Sequence, residues 1–222
     1  MSAPYRQRVP RPLDARPGPP APWLACAPAA RGSASLDRLR LGLAGLAAPR
    51  QAAAVNSAVL VPVVERGGEA ALVLIRRSEG LGRDPGQIAF PGGHLEAGEQ
   101  PLEAALREAS EEIGLDPDLV EVVAEFGIFE RGRQRERVVP FVGIVTGRPS
   151  FLADGREVAA ILAVPVASLA ADGVSWQERW GPDDAGSDVC FFAGTPELGD
   201  DLVWGLTARI VWKLLAAIFG ET

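Results

Sequence analysis

The sequence predicts an α+β fold in which helices cover a layered β-sheet. Three observations lead to this prediction. Short runs of β-branched and aliphatic residues recur through the middle of the chain, few segments show helical periodicity, and the two kinds of element follow each other in irregular order. The 222 residues suffice for one full domain with a buried core and short appendages.

The N-terminal segment, residues 1–33, is rich in Pro, Arg, Ala and Gly. This composition predicts a flexible arm, with a Pro-rich partner-binding segment as the sharper alternative. We therefore place one folded domain at residues 34–222. It begins with a short helix, since Ser35 is a suitable N-cap and Pro49 a suitable stop. Leucines at helical spacing lie between them: Leu36, Leu39, Leu43 and Leu46.

Strand patterns dominate the middle of the domain. Ala58–Val64 and Ala70–Ile75 are separated by Arg66-Gly67-Gly68, a hairpin-type turn signal. Their β-branched and aliphatic content predicts further strands at Gln87–Phe90, Val120–Phe129, Arg137–Thr146, Val158–Val164 and Val189–Phe192.

Two longer helices complete the expected elements. Leu102–Ile113 has helical periodicity and ends at Gly114, a typical C-terminal stop. Leu202–Phe219 is a long apolar stretch, but Arg209 and Lys213 share one of its faces. It predicts an amphipathic helix and no membrane span. The apolar faces of the two terminal helices allow packing within one chain or across a homodimer.

The charge balance and the cysteines restrict the partners and the cellular setting. A formal net charge of −7 offers no basic field for a nucleic-acid backbone, so we expect no nucleic-acid partner. Cys26 and Cys190 lie far apart without metal-type spacing, which favours a reduced, cytoplasmic setting. An acidic protein that binds a phosphorylated ligand needs local cations, and this points toward bound metal.

The helix at Leu102–Ile113 carries a cluster of carboxylates. Glu108, Glu111 and Glu112 stand at i, i+3 and i+4, so their side chains converge on one face. Like charges at this spacing destabilise a helix by roughly 0.2 to 0.5 kcal/mol per pair, so the cluster needs open water or a cation. Hard oxygen ligands of this kind suit Mg²⁺ or Mn²⁺. A solvated acidic face is the alternative for the cluster taken alone.

The spacing around the cluster favours the metal site. The residues from Gly93 to Leu115 fit the pattern G-x5-E-x7-R-E-U-x-E-E-x-G-U, where U is hydrophobic. With this carboxylate box the chain resembles the Nudix hydrolases. The resemblance implies an α/β/α sandwich with a mixed β-sheet between helices, and a metal-dependent enzyme that cuts a diphosphate bond.

The resemblance and the residue chemistry suggest roles inside the box. Glu108 and Glu112 are the first candidates for metal ligands, and Glu111 is a further ligand or the group that activates water. Gly92 lets the backbone turn sharply and bring a carbonyl close to the metal. Arg107 is expected to orient the glutamates by ion pairing. The implied nucleophile is a water, with no covalent enzyme intermediate.

A second segment, upstream of the box, bears on the substrate. It is similar to the segment that marks the coenzyme A pyrophosphatase branch of the Nudix family, L-L-T-x-R-[SA]-x3-R-x3-G-x3-F-P-G-G. The matching positions are Leu74, Arg77, Ser78, Gly86 and Phe90 to Gly93. The chain departs from the pattern at Val73, Ile75 and Gly82. Arg83 is a candidate replacement for the arginine missing at Gly82, although a shift of one residue redirects a side chain.

The similarity makes several residues candidates for the site. Those expected to bind substrate are Arg77, Ser78, Arg83, Phe90 and Gly92. An arginine here can hold a ligand phosphate by bidentate bonds, whereas a surface charge at a strand end is the plain alternative. Glu157 is implied as a further metal ligand or general base, the alternative being an exposed loop carboxylate. His94, at a variable position of the box, is expected to face solvent.

The implied function is hydrolysis of coenzyme A or its derivatives to 3',5'-ADP and 4'-phosphopantetheine products. Two alternatives stay open. One is a Nudix hydrolase of another nucleoside diphosphate derivative, such as a nucleotide sugar, a dinucleoside polyphosphate or an oxidised nucleotide. The other is a non-catalytic Nudix-fold binding module, which the intact Glu108, Glu111 and Glu112 disfavour.

Overall fold

The computed structural model describes residues 5–46, 55–132, 135–182 and 186–220. The helices in these ranges are α1 Pro28–Arg31, α2 Leu36–Leu43, α3 Pro101–Ile113, α4 Val166–Leu169 and α5 Gly205–Phe219. The strands are β1 Arg16–Pro17, β2 Ser57–Arg66, β3 Glu69–Arg77, β4 Ile88–Ala89, β5 Gly92–His94, β6 Val120–Glu125, β7 Phe129–Arg131, β8 Glu136–Val145, β9 Val158–Pro165, β10 Ser175–Trp180, β11 Ser187–Phe192 and β12 Val203–Trp204.

The larger sheet is mixed. Its main path runs β4-β3-β2-β8-β6, and β5, β7 and β9 pair with β2, β8 and β3. Strands β2 and β8 are parallel, while β2 and β3 form the antiparallel hairpin predicted around Gly67 and Gly68. Both glycines have positive φ angles, of 61° and 85°, which residues with a Cβ rarely adopt.

Helices cover both faces of this sheet. Successive side chains of a strand point to opposite faces, and β2 uses this alternation to serve two cores. Val61 and Val63 face the core that contains α2 and α5, whereas Ala58 and Leu60 face the core under α3. The predicted α/β/α sandwich with a mixed sheet is therefore confirmed.

Helices α2 and α5, the two terminal helices of the predicted domain, pack on each other within the chain. A Cβ at Gly42 would lie 2.6 Å from the carbonyl oxygen of Ala217, so the two backbones approach closely there. The Ser35 hydroxyl accepts a hydrogen bond from the Arg38 amide, which confirms the predicted N-cap. Helix α2 ends at Leu43, and Pro49 lies outside the described residues. None of the described helices has both the length and the hydropathy of a membrane span.

The N-terminal segment is docked on the domain. Strand β1 pairs with β10 at the edge of a smaller sheet of order β1-β10-β11-β12. Trp23 is fully buried and contacts the rings of Phe192 and Trp212 at centroid distances of 6.2 and 4.6 Å. Over residues 5–33 a packed segment thus replaces the predicted flexible arm. The physical reason is aromatic burial, which a proline- and arginine-rich composition conceals.

Candidate active site

Helix α3 presents the carboxylates of the box. It starts with a capping box between Gln100 and Glu103, and ends at Gly114, whose left-handed φ is 65°. Its buried Ala105 and Ile113 pack on the central sheet. The prediction of a helix over residues 102–113 is confirmed, to within one residue at its start.

The turn that contains β5 lies against these carboxylates. The Gly92 amide donates a hydrogen bond to Oε2 of Glu112 at 3.0 Å. A Cβ at Gly93 would lie 2.3 Å from Oε1 of Glu108, and one at Gly92 would lie 2.4 Å from the carbonyl oxygen of Ala58. Two consecutive glycines therefore let the backbone and the carboxylates occupy one small space.

Burial makes these carboxylates hard to ionise without a cation. Glu112 is 4% exposed, and burial raises its pKa to about 8, although the hydrogen bond from Gly92 lowers it in part. Burial also raises the pKa of Glu108, and Arg107 partly opposes this shift. The charge of Glu157 acts in the raising direction on both. Three acids therefore share one electrostatic environment.

Arg107 connects the acids around it. Its Nε lies 2.9 Å from Glu99 Oε1, and its terminal nitrogens lie 3.1 Å from Glu108 and 3.2 Å from Glu111. The contacts with Glu99 and Glu108, led by the hydrogen bond to Glu99, raise the pKa of Arg107. The contacts are those expected of a residue that orients glutamates.

The three box glutamates are less equivalent than their helical spacing suggests. Glu111 is 61% exposed and pairs with Arg107. The acids that raise the pKa of Glu112 are Glu108 and Glu157. The sequence pattern grouped Glu111 with the other two, whereas in the structure Glu157, an exposed residue 45 positions from Glu112 in sequence, joins Glu108 in raising the pKa of Glu112.

Glu157 lies in the loop before β9. Its amide donates to both carboxylate oxygens of Asp154, at 3.0 and 3.1 Å, and its carbonyl accepts a hydrogen bond from the Ser78 amide at 2.8 Å. Glu157 lines a cavity of about 270 Å³ together with Glu108 and Gly92. The loop is thus fastened to the upstream segment and holds the carboxylate at the site.

The upstream candidates take different positions. Arg77, at the end of β3, has a guanidinium nitrogen 3.9 Å from Glu112 Oε1 and lines the same cavity. Its Nε is buried and has no hydrogen-bond partner among the described residues. Arg83 also lines this cavity and pairs with Glu136. Ser78 contributes its amide, as described above.

Phe90 differs from its predicted role. Its side chain is 3% exposed and belongs to the core that contains α5. It is therefore unavailable to a substrate and instead anchors the turn that precedes Gly92. The sequence pattern allows either role for an aromatic residue at this position, and its packing in the core excludes the predicted one.

Sequence reasoning missed a second acid of the cavity, Glu136. Its carboxylate accepts hydrogen bonds from Ser57 at 2.5 Å and Arg131 at 2.9 Å, and from Arg83. Burial acts to raise its pKa, but these bonds outweigh it and lower the pKa to about 2. His94, 66% exposed as expected, lies 3.3 Å from the same carboxylate. The arginine-rich run 131–137 was the available signal for this network.

The donor set fits a hard divalent cation. Glu108 and Glu112 supply carboxylate oxygens beside the Gly92 backbone, and burial leaves both short of compensating charge. In the described ranges, no three Asp, Glu, His or Cys side chains converge into a complete metal cage. Mg²⁺ needs none, because it keeps several waters and completes its coordination with substrate phosphates.

Comparison with known proteins identifies the family. The family described as NUDIX domain matches residues 55–202. The peroxisomal coenzyme A diphosphatase NUDT7 of Mus musculus is 34% identical over 170 residues, 73% of this chain and 70% of that protein. The uncharacterized Nudix hydrolase NudL of Yersinia enterocolitica is 32% identical over 161 residues, 72% of this chain and 79% of that protein.

A plant relative is also similar. Nudix hydrolase 22, chloroplastic, of Arabidopsis thaliana is 34% identical over 168 residues, which are 74% of this chain and 55% of the plant protein. The chain thus spans about half the length of that relative. The match over 55–202 contains the whole carboxylate box and the upstream segment. The chain therefore belongs to the NUDIX domain family and is a Nudix hydrolase, an enzyme that acts on phosphorus-containing anhydrides.

Proposed function

We propose that this hydrolase uses Mg²⁺ or Mn²⁺ to cleave coenzyme A or its derivatives into 3',5'-ADP and 4'-phosphopantetheine products. The observation that carries the proposal is the position of Arg77, 3.9 Å from Glu112. It joins the upstream segment, which resembles the coenzyme A branch, to the carboxylates of the box. Similarity to the mouse protein named a coenzyme A diphosphatase supports the same substrate.

The side chains divide the work of hydrolysis. Glu108 and Glu112 would hold a divalent cation, which when bound would supply charge to polarise the diphosphate oxygens and to acidify water. Arg77 binds the diphosphate through its guanidinium, whose buried Nε needs an acceptor. Glu157 accepts the proton of the attacking water at its carboxylate, and Arg107 keeps Glu108 in orientation. Water then displaces one phosphate from the other without a covalent enzyme intermediate.

Arg83 offers a second cation to the diphosphate. The chain has Gly82 where the coenzyme A pattern has arginine, and Arg83 follows it. Because the Arg83 guanidinium reaches Glu136 at the same cavity, the shift by one residue still delivers positive charge there. This supports the substrate assignment despite the departure.

The departures at Val73, Ile75 and Gly82 are the reason to keep another nucleoside diphosphate derivative as the alternative substrate. A non-catalytic binding module is disfavoured by the complete carboxylate set. A cytoplasmic location and a homodimer stay predictions.

A substrate panel tests the proposal. Coenzyme A, ADP-ribose and diadenosine tetraphosphate are compared with Mg²⁺ and with Mn²⁺, and products are identified by mass. We expect the highest kcat/KM with coenzyme A, and we expect Arg77→Gln to lower it mainly through KM. Equal or reversed preference would remove the coenzyme A assignment while leaving the family and the metal site in place.

A further inference from the structure

A larger cavity, of about 750 Å³, adjoins the carboxylate site. The two cavities share lining residues Arg77, Asp84, Arg131 and Leu206. A diphosphate held at the carboxylates can therefore extend past Arg77 into the larger cavity without leaving the protein. The volume is within the range of sites for small organic ligands, about 300 to 1,000 Å³.

Two tryptophans form part of its wall. Trp180 ends β10 and Trp204 lies in β12, with their rings 6.4 Å apart and tilted by 37°. Both are half-buried and held by their indole N–H groups, which donate to Glu178 and to Gln87. Gln87 belongs to the upstream segment, so this wall is tied to the site. Flat aromatic surfaces of this kind bind nucleobases by stacking.

The cavity also has a surplus of positive charge. Its described lining contains five arginines, Arg77, Arg131, Arg135, Arg179 and Arg209, and three acids, Asp84, Glu130 and Asp188. This surplus stands out in a chain of net charge −7. Arg209 is held in place over the Phe129 ring at 5.3 Å, and it donates to the Glu130 carbonyl at 2.9 Å. Arg131, Arg135 and Arg179 pair with the three acids, so the surplus is the charge of Arg77 and Arg209. Guanidinium groups suit a phosphate, whereas an uncharged chain gains little from them.

We propose that the larger cavity binds the nucleotide half of the substrate, with the base against Trp180 and Trp204 and the phosphate on its ribose near Arg209. The assignment rests on the proposed function, in which the substrate is a nucleoside diphosphate derivative. With the nucleotide half in the larger cavity, the diphosphate of the substrate lies at the carboxylate site. The pantetheine half then leaves on the side away from the tryptophans.

Binding of the two products tests this orientation. Adenosine 3',5'-bisphosphate and 4'-phosphopantetheine are titrated by calorimetry into the wild type, Trp180→Leu and Trp176→Leu. Trp176 is the matched control, because it lies on the same strand and stacks on Phe191 at 5.1 Å, yet it is not part of this cavity's lining. The Kd of adenosine 3',5'-bisphosphate should rise about tenfold or more in Trp180→Leu only, as loss of base stacking predicts. The Kd of 4'-phosphopantetheine should stay unchanged.

A second variant guards against misfolding of Trp180→Leu. Arg209 is exposed, and Arg209→Gln should reduce the preference for adenosine 3',5'-bisphosphate over AMP while binding of AMP itself stays near wild type. Trp180→Phe, which keeps an aromatic face, should restore most of the affinity.

The outcomes separate the two proposals. If the wild type binds adenosine 3',5'-bisphosphate with these sensitivities but hydrolyses no coenzyme A, the proposed substrate is wrong and the cavity assignment stands. If coenzyme A is hydrolysed but Trp180→Leu and Arg209→Gln leave nucleotide binding unchanged, the cavity assignment is overturned. Weakened binding of 4'-phosphopantetheine in its place, or no binding of either product to the wild type, would also overturn it.

Discussion

The amide of Gly92 donates a hydrogen bond to Oε2 of Glu112 at 3.0 Å, which ties the turn before the box to the last turn of α3. The bond orients one carboxylate oxygen of a side chain that is 4% exposed. The other oxygen lies 3.9 Å from Arg77. The ionised form of a buried carboxylate with so few neighbouring positive charges and hydrogen bonds destabilises the folded state. A bound metal cation offsets this destabilisation.

The first prediction concerns stability and pH in the absence of metal. The folded-state pKa of Glu112 is raised from its ordinary 4.5 to about 8, so the folded protein keeps a proton that the unfolded chain has lost. This group should therefore lower the free energy of unfolding, measured in EDTA, as the pH rises from about 4.5 to 8. The slope is at most about 1.4 kcal/mol per pH unit.

The Glu112→Gln variant is the control for this prediction, because its amide cannot ionise while its oxygen can still accept from Gly92. Denaturant unfolding at several pH values should show a shallower decline in the variant. Addition of Mg²⁺ should restore stability to the wild type at pH 8. Identical pH profiles for the two proteins would contradict the assignment of this proton to Glu112.

A second prediction concerns the space at Gly93. A Cβ there would lie 2.3 Å from the Glu108 carboxylate, so Gly93→Ala should displace a metal ligand and lower kcat about 10- to 100-fold, as misplacement of a metal ligand does. Gly82→Ala is the matched control, since a Cβ at Gly82 meets nothing within 4 Å. Steady-state kinetics that show equal activities for the two variants would refute this steric argument.

The third prediction separates Glu157 from Glu111. Loss of a general base costs about 10² to 10⁴ in rate, so Glu157→Gln should lower kcat at least about 100-fold at saturating metal while the metal affinity changes little. Glu111 pairs with Arg107 and is not among the described residues that line the cavity with Glu157, so Glu111→Gln should lose less activity. Weaker metal binding in Glu157→Gln, with kcat restored by more metal, would make Glu157 a ligand and not the base.

The fourth prediction concerns Arg107, whose planar fork reaches Glu99, Glu108 and Glu111 together. Lysine offers a single charged point, so Arg107→Lys should lower kcat about 10- to 100-fold. The melting temperature should change little, since such pairs stabilise by about 0 to 1 kcal/mol. Arg40→Lys, which breaks a similar fork to the exposed Glu121, should keep full activity. A large loss of stability in Arg107→Lys with normal kcat would assign Arg107 a structural role only.

Local patterns allowed much of the fold to be predicted. Helix α3 and the hairpin of β2 and β3 follow from periodicity and turn residues, which act over a few positions. Strand β10, Ser175–Trp180, was missed, because its aromatic and charged residues are stabilised by contacts with Tyr5 and Phe191 that are remote in sequence. The docking of Trp23 was missed for the same reason.

The residues of the candidate site were likewise predictable only in part. The box specifies Glu108 and Glu112 through helical spacing, and the structure places both beside Gly92. Spacing could not show that Glu111 points toward solvent, nor that Glu136 joins the cavity, because both depend on how β5 and β8 pack against α3. The burial of Phe90 likewise depends on the sheet and α5.

The most direct measurement is hydrolysis of coenzyme A by the wild type and by Glu112→Gln, with Mg²⁺, with Mn²⁺ and with EDTA, followed by mass spectrometry of the products. The wild type should release 3',5'-ADP and 4'-phosphopantetheine only when a divalent cation is present. The turnover number of the folded Glu112→Gln variant should fall at least about 100-fold. This decrease is larger than the one expected when a residue that only orients a metal ligand is replaced. Near-normal turnover by this variant, or turnover by the wild type in EDTA, would contradict the metal-site assignment.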